Sequence, residues 1–456
     1  MGERGRGIGL LVVVAGYFLV MLDTTIVNIA LPHIGADLSL STGSLAWVID
    51  AYTLVFAALL LPAGSACDRY GARRVYLAGL MVFALASVAC ALAPNAGVLV
   101  AFRAVQGVGA AAIVPATLAL LAGLFPEREA RARAVGLWGG AGGVAAAVGP
   151  LLGGVLLTGI GWRAVFWVNL PVILLIGIGA LRVLPARTGR QSRMDAGGQA
   201  MAILTLAALT YAVIDTGEHG LTARSGIAFT VSVIAGVGFV GHERRAAPPM
   251  LPLPVFTAPG FSLATVVGFV LNFSFFGQLF ALALYVQDTR ALAPFAAGLV
   301  LAPQALGAII GAPLGGRITA RHTPQAAMLT GLAVGTAGFA SLMIFDMNTP
   351  YPVVAILTFL AGLGMAIAMP AATTAAVSAA PEQFSEIAGS IINAARQTGS
   401  VVGVALLGAL ATGLGGIAGF RAAALGATVA FAAGLLAVAV HVMSARRPGT
   451  DDTFTP

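Results

Sequence analysis

Four charged side chains, Asp23, Asp50, Arg103 and Arg396, stand inside long apolar stretches of this chain. A charge at the centre of a membrane helix costs roughly 2.5–3.5 kcal/mol on the insertion scale, so one that persists there is a candidate for function. At 1.5 Å of rise per residue, Asp23 lies about 12 Å from the outer end of its helix, and Asp50 and Arg103 about 8–9 Å from theirs. Three charges at similar depth could form one cluster. The plain reading is a structural ion pair between Arg103 and one aspartate. The sharper one is that a carboxylate takes up a proton when the site opens. Partial desolvation favours its neutral form and a nearby arginine its ionised form, so movement relative to Arg103 would switch it. Asp23 is the expected primary proton carrier and Asp50 the second candidate.

Two further helix faces carry polar or aromatic groups. Asn393, Arg396, Gln397 and Ser400 are spaced i, i+3, i+4, i+7 and share one side, which must face protein or water rather than lipid. That side is either a hydrogen-bonding seam between helices or a cavity wall. Phe269, Phe273, Phe276 and Phe280 form a stripe beside Asn272 and Gln278, which either packs or stacks on a hydrophobic substrate. A substrate cavity is expected to draw on Asn272, Phe273, Phe276, Gln278, Asn393, Arg396 and Gln397, joined by Asn28 and Gln106 from the first part of the chain. No Walker loop, metal cluster or nucleophile–base arrangement is present in the sequence. The expectation is a protein that is not an enzyme, with no metal and no cofactor beyond a proton as coupling ion.

The elements that must position these residues are membrane helices. The chain is 59% hydrophobic and 9% charged, against roughly 25% charged in a soluble domain. About 20 apolar residues span the hydrocarbon core as a helix. Such segments fall at 9–31, 44–66, 75–93, 97–124, 133–158, 163–184, 197–216, 224–241, 261–286, 295–316, 326–346, 351–378, 386–412 and 420–443. The first follows a basic N-terminus like a signal peptide, but it is too long and runs through Asp23 without a cleavage site, so it reads as a retained span. All 24 basic residues are arginine. With the N-terminus inside, eighteen lie on inside connections and tails and four at outside ends, as the positive-inside rule requires. Removing either short span, 197–216 or 224–241, would invert every later loop and spoil that asymmetry. Fourteen spans with both termini cytoplasmic are therefore expected. The net charge of +7 is spread over short inside loops. Anionic lipid headgroups, not nucleic acid, are its expected partner. Cys67 and Cys90 read as small buried residues. Asn272-Phe273-Ser274 matches a glycosylation sequon but falls inside a span and is rejected.

The chain also repeats itself. Gly107, Gly109, Pro115, Pro126 and Glu127 recur 255 positions later as Gly362, Gly364, Pro370, Pro381 and Glu382. Two six-helix halves follow, 1–195 and 246–456, with two inserted helices in 196–245. Such repeats are common in secondary transporters, whose substrate site lies between the halves. Thr358 occupies the position equivalent to Arg103, so proton handling is expected mainly in the first half.

These residues resemble the drug:proton antiporters of the major facilitator superfamily, in the fourteen-helix branch, over essentially the whole chain. Leu22-Asp23-Thr24-Thr25-Ile26-Val27-Asn28-Ile29-Ala30-Leu31-Pro32 is similar to the first-helix signature of that branch. Gly64, Asp68, Arg69, Gly71, Arg73 and Arg74 resemble the cytoplasmic loop that latches one conformation. In the second-half copy Ala320 replaces the acid and Thr323 the glycine. Arg103, Gln106 and Gly107 resemble the fourth-helix motif implicated in proton coupling. Gly149, Pro150, Gly153 and Gly154 resemble the fifth-helix antiporter motif, which the family associates with export. The resemblance implies a monomeric multi-pass protein of the cell membrane that exports drugs, antibiotics, dyes or a host metabolite by alternating access. An uptake or uniport carrier of the same fold is the alternative.

Overall fold

In lipid, a chain this apolar can satisfy its backbone groups only within helices or a closed barrel. The computed structural model describes residues 3–40, 42–185, 195–246, 249, 251–346 and 348–445, and among them it is helical, with no strand. The α-helices are α1 (Glu3–Leu38), α2 (Thr42–Tyr70), α3 (Ala72–Ala91), α4 (Ala96–Leu124), α5 (Arg128–Gly159), α6 (Ala164–Trp167), α7 (Asn169–Val183) and α8 (Ala196–His219). There follow α9 (Ala223–Glu243), α10 (Pro259–Leu284), α11 (Pro294–Arg321), α12 (Pro324–Ser341), α13 (Tyr351–Ala379), α14 (Ser385–Leu414) and α15 (Gly416–Ala445). Among the described residues, twelve helical segments are long and apolar enough to cross a membrane, with α6 and α7 together making one. Helices α2 and α5 contribute shorter apolar stretches, Ser44–Leu60 and Val148–Gly159. The molecule is a multi-pass membrane protein.

Glycine placement explains how the helices pack. A Cβ at Gly107 would stand 2.5 Å from the Tyr52 carbonyl oxygen of α2, and one at Gly109 would stand 2.8 Å from the Phe83 amide of α3. Their counterparts 255 positions later do the same work: Gly362 abuts the Gln304 backbone of α11, and Gly364 abuts Gly335 and Gly331 of α12. Helices α4 and α13 thus hold equivalent places in the two parts of the chain, each pressed between two neighbours at backbone distance. Pro115 and Pro370 also recur inside these two helices.

Between α2 and α3 the chain turns on Gly71, whose φ of 89° lies in the left-handed region. A side chain there is strained whatever space surrounds it. Gly71→Ala is expected to destabilise the α2–α3 turn by about 1–2 kcal/mol, readable as a lowered Tm of the purified protein. At the second-half copy no such glycine is needed. Thr323 takes an extended φ of −140° and its hydroxyl accepts from the Ala326 amide at 3.1 Å, capping α12.

Candidate functional site

Asp23 and Arg103 meet in the interior of the first half, at 0% and 1% exposure. Arg103 Nη1 donates to Asp23 Oδ2 at 2.5 Å and to Gln106 Oε1 at 2.9 Å, while its Nε donates to the Val48 carbonyl at 2.9 Å. The other carboxylate oxygen of Asp23 accepts from Asn169 Nδ2 at 3.0 Å and from Gln106 Nε2 at 3.4 Å. Ser87 closes the network by accepting from Gln106 at 2.8 Å and Asn169 at 3.3 Å. The guanidinium carbon lies 4.4 Å from the Tyr52 ring centroid and 5.9 Å from that of Phe166, a cation–π sandwich that replaces water. A buried ion pair is tolerated when further hydrogen bonds support it, and both oxygens of Asp23 are bonded here. Helices α1, α3, α4 and α7 each supply a member. Asn169 and Ser87 are the members that charge-based reading missed. Their only sequence signal is an uncharged polar residue in an apolar run, at Asn169 one residue past the α6–α7 break.

Asp50 does not join that cluster. It is fully buried, yet neither carboxyl oxygen has a hydrogen-bond partner among the described residues. The expected three-charge cluster is therefore a pair, Asp23 with Arg103. The reason is azimuth rather than depth. The α2 side chain that faces Arg103 is Tyr52, and two residues away along a helix the side chain points about 200° from it.

The second-half residues form a seam. Asn272 Nδ2 donates to Ser400 Oγ at 3.1 Å and to Gln397 Oε1 at 3.5 Å, and its Oδ1 accepts from Arg396 Nε at 3.4 Å. Arg396 also lies beside the Tyr17 phenol of α1, whose ring stacks on Trp138 of α5 with centroids 3.7 Å apart. The seam thus runs from α14 through α10 and across to the first half. Gln278 accepts from Gln304 Nε2 at 3.0 Å. Phe273 stacks on Phe269 at 6.0 Å, Phe276 meets Phe275 edge-on at 5.2 Å, and Phe280 is fully buried. Asn28 donates back to the Thr24 carbonyl of its own helix at 3.1 Å. A crevice of about 250 Å³ opens between α2, α8, α10 and α14, and none of the nine residues expected to line a cavity, Asn393 included, lines it. Asn272, Arg396 and Gln397 bond within the seam, Gln106 belongs to the Asp23–Arg103 network, and Asn28 bonds its own helix.

Around the turn between α2 and α3, Arg73 donates to the Leu181 carbonyl at the end of α7 at 2.6 Å, and Arg69 lies 5.2 Å from the Tyr70 ring. This ties α3 to the last turn of α7, where carbonyls lack helical partners. Arg74 is exposed, and Gly64 has open space on its Cβ side. The Asp68 side chain lies outside the described residues. The α5 motif splits between two faces. Gly149 and Gly153 meet Thr25 and Ile26 of α1, whereas Gly154 meets Pro294 and Phe295 of α11 and the Pro150 carbonyl meets Gly298 of α11.

The sequence profile described as the Major Facilitator Superfamily matches residues 13–403 and again 264–454. The chain belongs to the major facilitator superfamily. Membership makes it a transport protein and not an enzyme. It is 38% identical to the methylenomycin A resistance protein of Streptomyces coelicolor, over 88% of this chain and 85% of that one. It is 34% identical to the multidrug resistance protein Stp of Mycobacterium tuberculosis, over 87% of this chain and 74% of that one. The tetracenomycin C resistance and export protein of Streptomyces glaucescens is 33% identical, over 90% and 77%. Among solved structures, a POT family transporter crystallised with a thioalcohol-conjugated peptide superposes with a TM-score of 0.71, at 14% identity and 97% coverage of both chains. That likeness shows the fold alone. The drug:proton antiporter branch expected from the motifs fits these resistance relatives.

Proposed function

We propose that this major facilitator protein exports amphipathic small molecules, of the drug and antibiotic kind that its relatives are named for, in exchange for protons. The observation that carries the proton part is the contrast between two buried aspartates in one half. Asp23 is paired with Arg103 and accepts from Gln106 and Asn169, whereas Asp50 has no hydrogen-bond partner among the described residues. In this reading Asp50 is the proton carrier, and the Asp23–Arg103 pair is the element that must shift during the cycle. Asp50 thus comes ahead of Asp23, the opposite order to the one expected from the sequence. Asp23 and Arg103 stand on α1 and α4 of the same half, so the shift this requires is one of α1 against α4.

The reading includes fourteen crossings, with α2 and α5 counted as spans because they run for 29 and 32 residues. It takes the α8–α9 pair in 196–245 as an insertion between the halves 1–195 and 246–456. Both termini lie in the cytoplasm of a monomer in the cell membrane, with lipid and a small-molecule substrate as partners and no nucleic acid. Reconstituted proteoliposomes with an imposed pH gradient and a panel of dyes and antibiotics test it. Gradient-dependent movement of at least one compound, abolished by an uncoupler, is the expected result. Gradient-independent movement of all of them would replace exchange with facilitated diffusion.

A further inference from the structure

The crevice of about 250 Å³ is walled by both halves and by the inserted pair. Ala57 and Ala58 of α2 face Ala202 of α8 and Ala394 and Ala395 of α14, and these small side chains leave the gap unfilled. Leu251 and Phe256, in the segment that leads into α10, close one side. That rim is tied down. The Leu251 amide donates to Glu243 Oε2 of α9 at 2.8 Å, and His242 of α9 pairs with Asp195 at the start of α8 at 2.8 Å.

Thr265 of α10 lines the same space. It is 7% exposed, and its hydroxyl has no hydrogen-bond partner among the described residues. Helical threonines usually bond back to a carbonyl one turn earlier, as Thr205 on the opposite wall does to Met201 at 2.8 Å. An unpartnered hydroxyl in an apolar space carries a desolvation cost that a ligand's polar atom recovers. None of the lining residues is charged. The volume falls just under the roughly 300–1,000 Å³ that holds a drug-sized molecule, so it takes one ring system rather than a whole ligand.

We propose that this crevice is a side entrance and first binding site for lipophilic substrates in their uncharged form, taken from the inner half of the bilayer, with Thr265 bonding a polar atom of the bound molecule. The proposal rests on the export reading. Asp50, Thr53 and Ala57 recur at i, i+3 and i+7 on α2, so they share a face. Ala57 is in the crevice wall, and Asp50 lies about 10.5 Å further along the same helix. A molecule moving outward along α2 passes from an apolar pocket to the Asp50 carboxyl group. The inserted pair thereby gains a function: it builds the outer wall of the entrance.

The test uses everted membrane vesicles holding the full-length protein, a pH gradient and a lipophilic bisbenzimide dye. Ala202→Phe and Ala394→Phe fill the crevice, and each is expected to cut dye export roughly tenfold. Thr265→Val is expected to raise KM several-fold with kcat nearly unchanged, as loss of uniform binding does. A second measurement does not depend on bulky substitutions. Ala202→Cys is labelled with a bilayer-soluble maleimide, against the parent chain whose Cys67 and Cys90 are buried. Saturating dye is expected to slow that labelling at least fivefold or so if it occupies the crevice. Labelling that the dye leaves unchanged, whether the site is open or blocked by a resident acyl chain, overturns the proposal. Wild-type export undiminished in both phenylalanine variants also overturns it, while leaving proton-driven export standing. A wild-type protein that moves no dye under any gradient instead sinks the export reading beneath it.

Discussion

Asp50→Asn is expected to lower pH-gradient-driven export by roughly a hundredfold, equivalent to about 2.7 kcal/mol in the barrier, while the protein folds and purifies nearly as wild type. Asparagine has the shape of a protonated aspartate and cannot release a proton. Because neither oxygen of Asp50 has a partner among the described residues, the substitution breaks no hydrogen bond in this conformation. Asp23→Asn makes the instructive comparison. It removes the charge that Arg103 faces at 2.5 Å in a site of 0–1% exposure. Breaking a buried pair from one side costs about 3–5 kcal/mol, because the remaining charge is left uncompensated. That variant is expected to lose thermal stability and export together. Transport and Tm measured on both variants therefore separate a proton carrier from a structural partner. An Asp50→Asn protein that exports at the wild-type rate with unchanged pH dependence removes Asp50 from the proton path.

The sequence carried depth but not direction. Charges inside apolar runs identified Asp23, Asp50, Arg103 and Arg396 without any coordinates, because the cost of burying a charge makes each one conspicuous. Rise per residue placed three of them at similar levels. What rise cannot give is which way each side chain turns about its own helix relative to a neighbour. That depends on packing between α1, α2 and α4, and it is why Asp23 meets Arg103 while Asp50 does not. The α8–α9 pair, expected at 197–216 and 224–241, extends to Ala196–His219 and Ala223–Glu243, because hydropathy marks only the part of a helix within the hydrocarbon. The repeat of Gly107 and Gly109 at Gly362 and Gly364 was legible as spacing, and the structure supplies its cause in backbone contacts at both copies. The cavity was not legible. Polar and aromatic residues drew the expectation toward Asn272, Phe273 and Gln278, which instead meet Ser400 and Arg396, Phe269, and Gln304. Five of the thirteen residues that line the crevice are alanines, which carry no signal in a chain so rich in them.

Gly298→Leu is expected to reduce export at least roughly tenfold by acting on the equilibrium between conformations rather than on folding. The α5 motif holds two pairs at i, i+4, and they point to different partners. Gly149 and Gly153 face α1, inside the first half, and Gly154 faces α11 in the second half, alongside the Pro150 carbonyl. On the α11 side a Cβ at Gly298 would stand 2.6 Å from the Pro150 oxygen, and a Cβ at Gly154 would stand 2.9 Å from the Phe295 Cα. No flexible side-chain end lies there to give way, so a larger residue must push the two helices apart. Overpacking of this kind costs about 1–3 kcal/mol. A carrier must separate its halves on each side in turn, so that cost falls only on the state in which α5 and α11 touch. It shifts the population of that state by about 5–150-fold. Gly149→Leu puts the same bulk against Thr25 and Ile26 of α1, a contact within the first half, and is expected to lower Tm instead. Spin labels on the ends of α5 and α11 near Gly154 and Gly298 read the difference. Their distance distribution should move to longer values in Gly298→Leu and stay put in Gly149→Leu. Unchanged distances with unchanged export in Gly298→Leu would make the α5–α11 contact static packing, and the opening of the halves would have to be sought elsewhere.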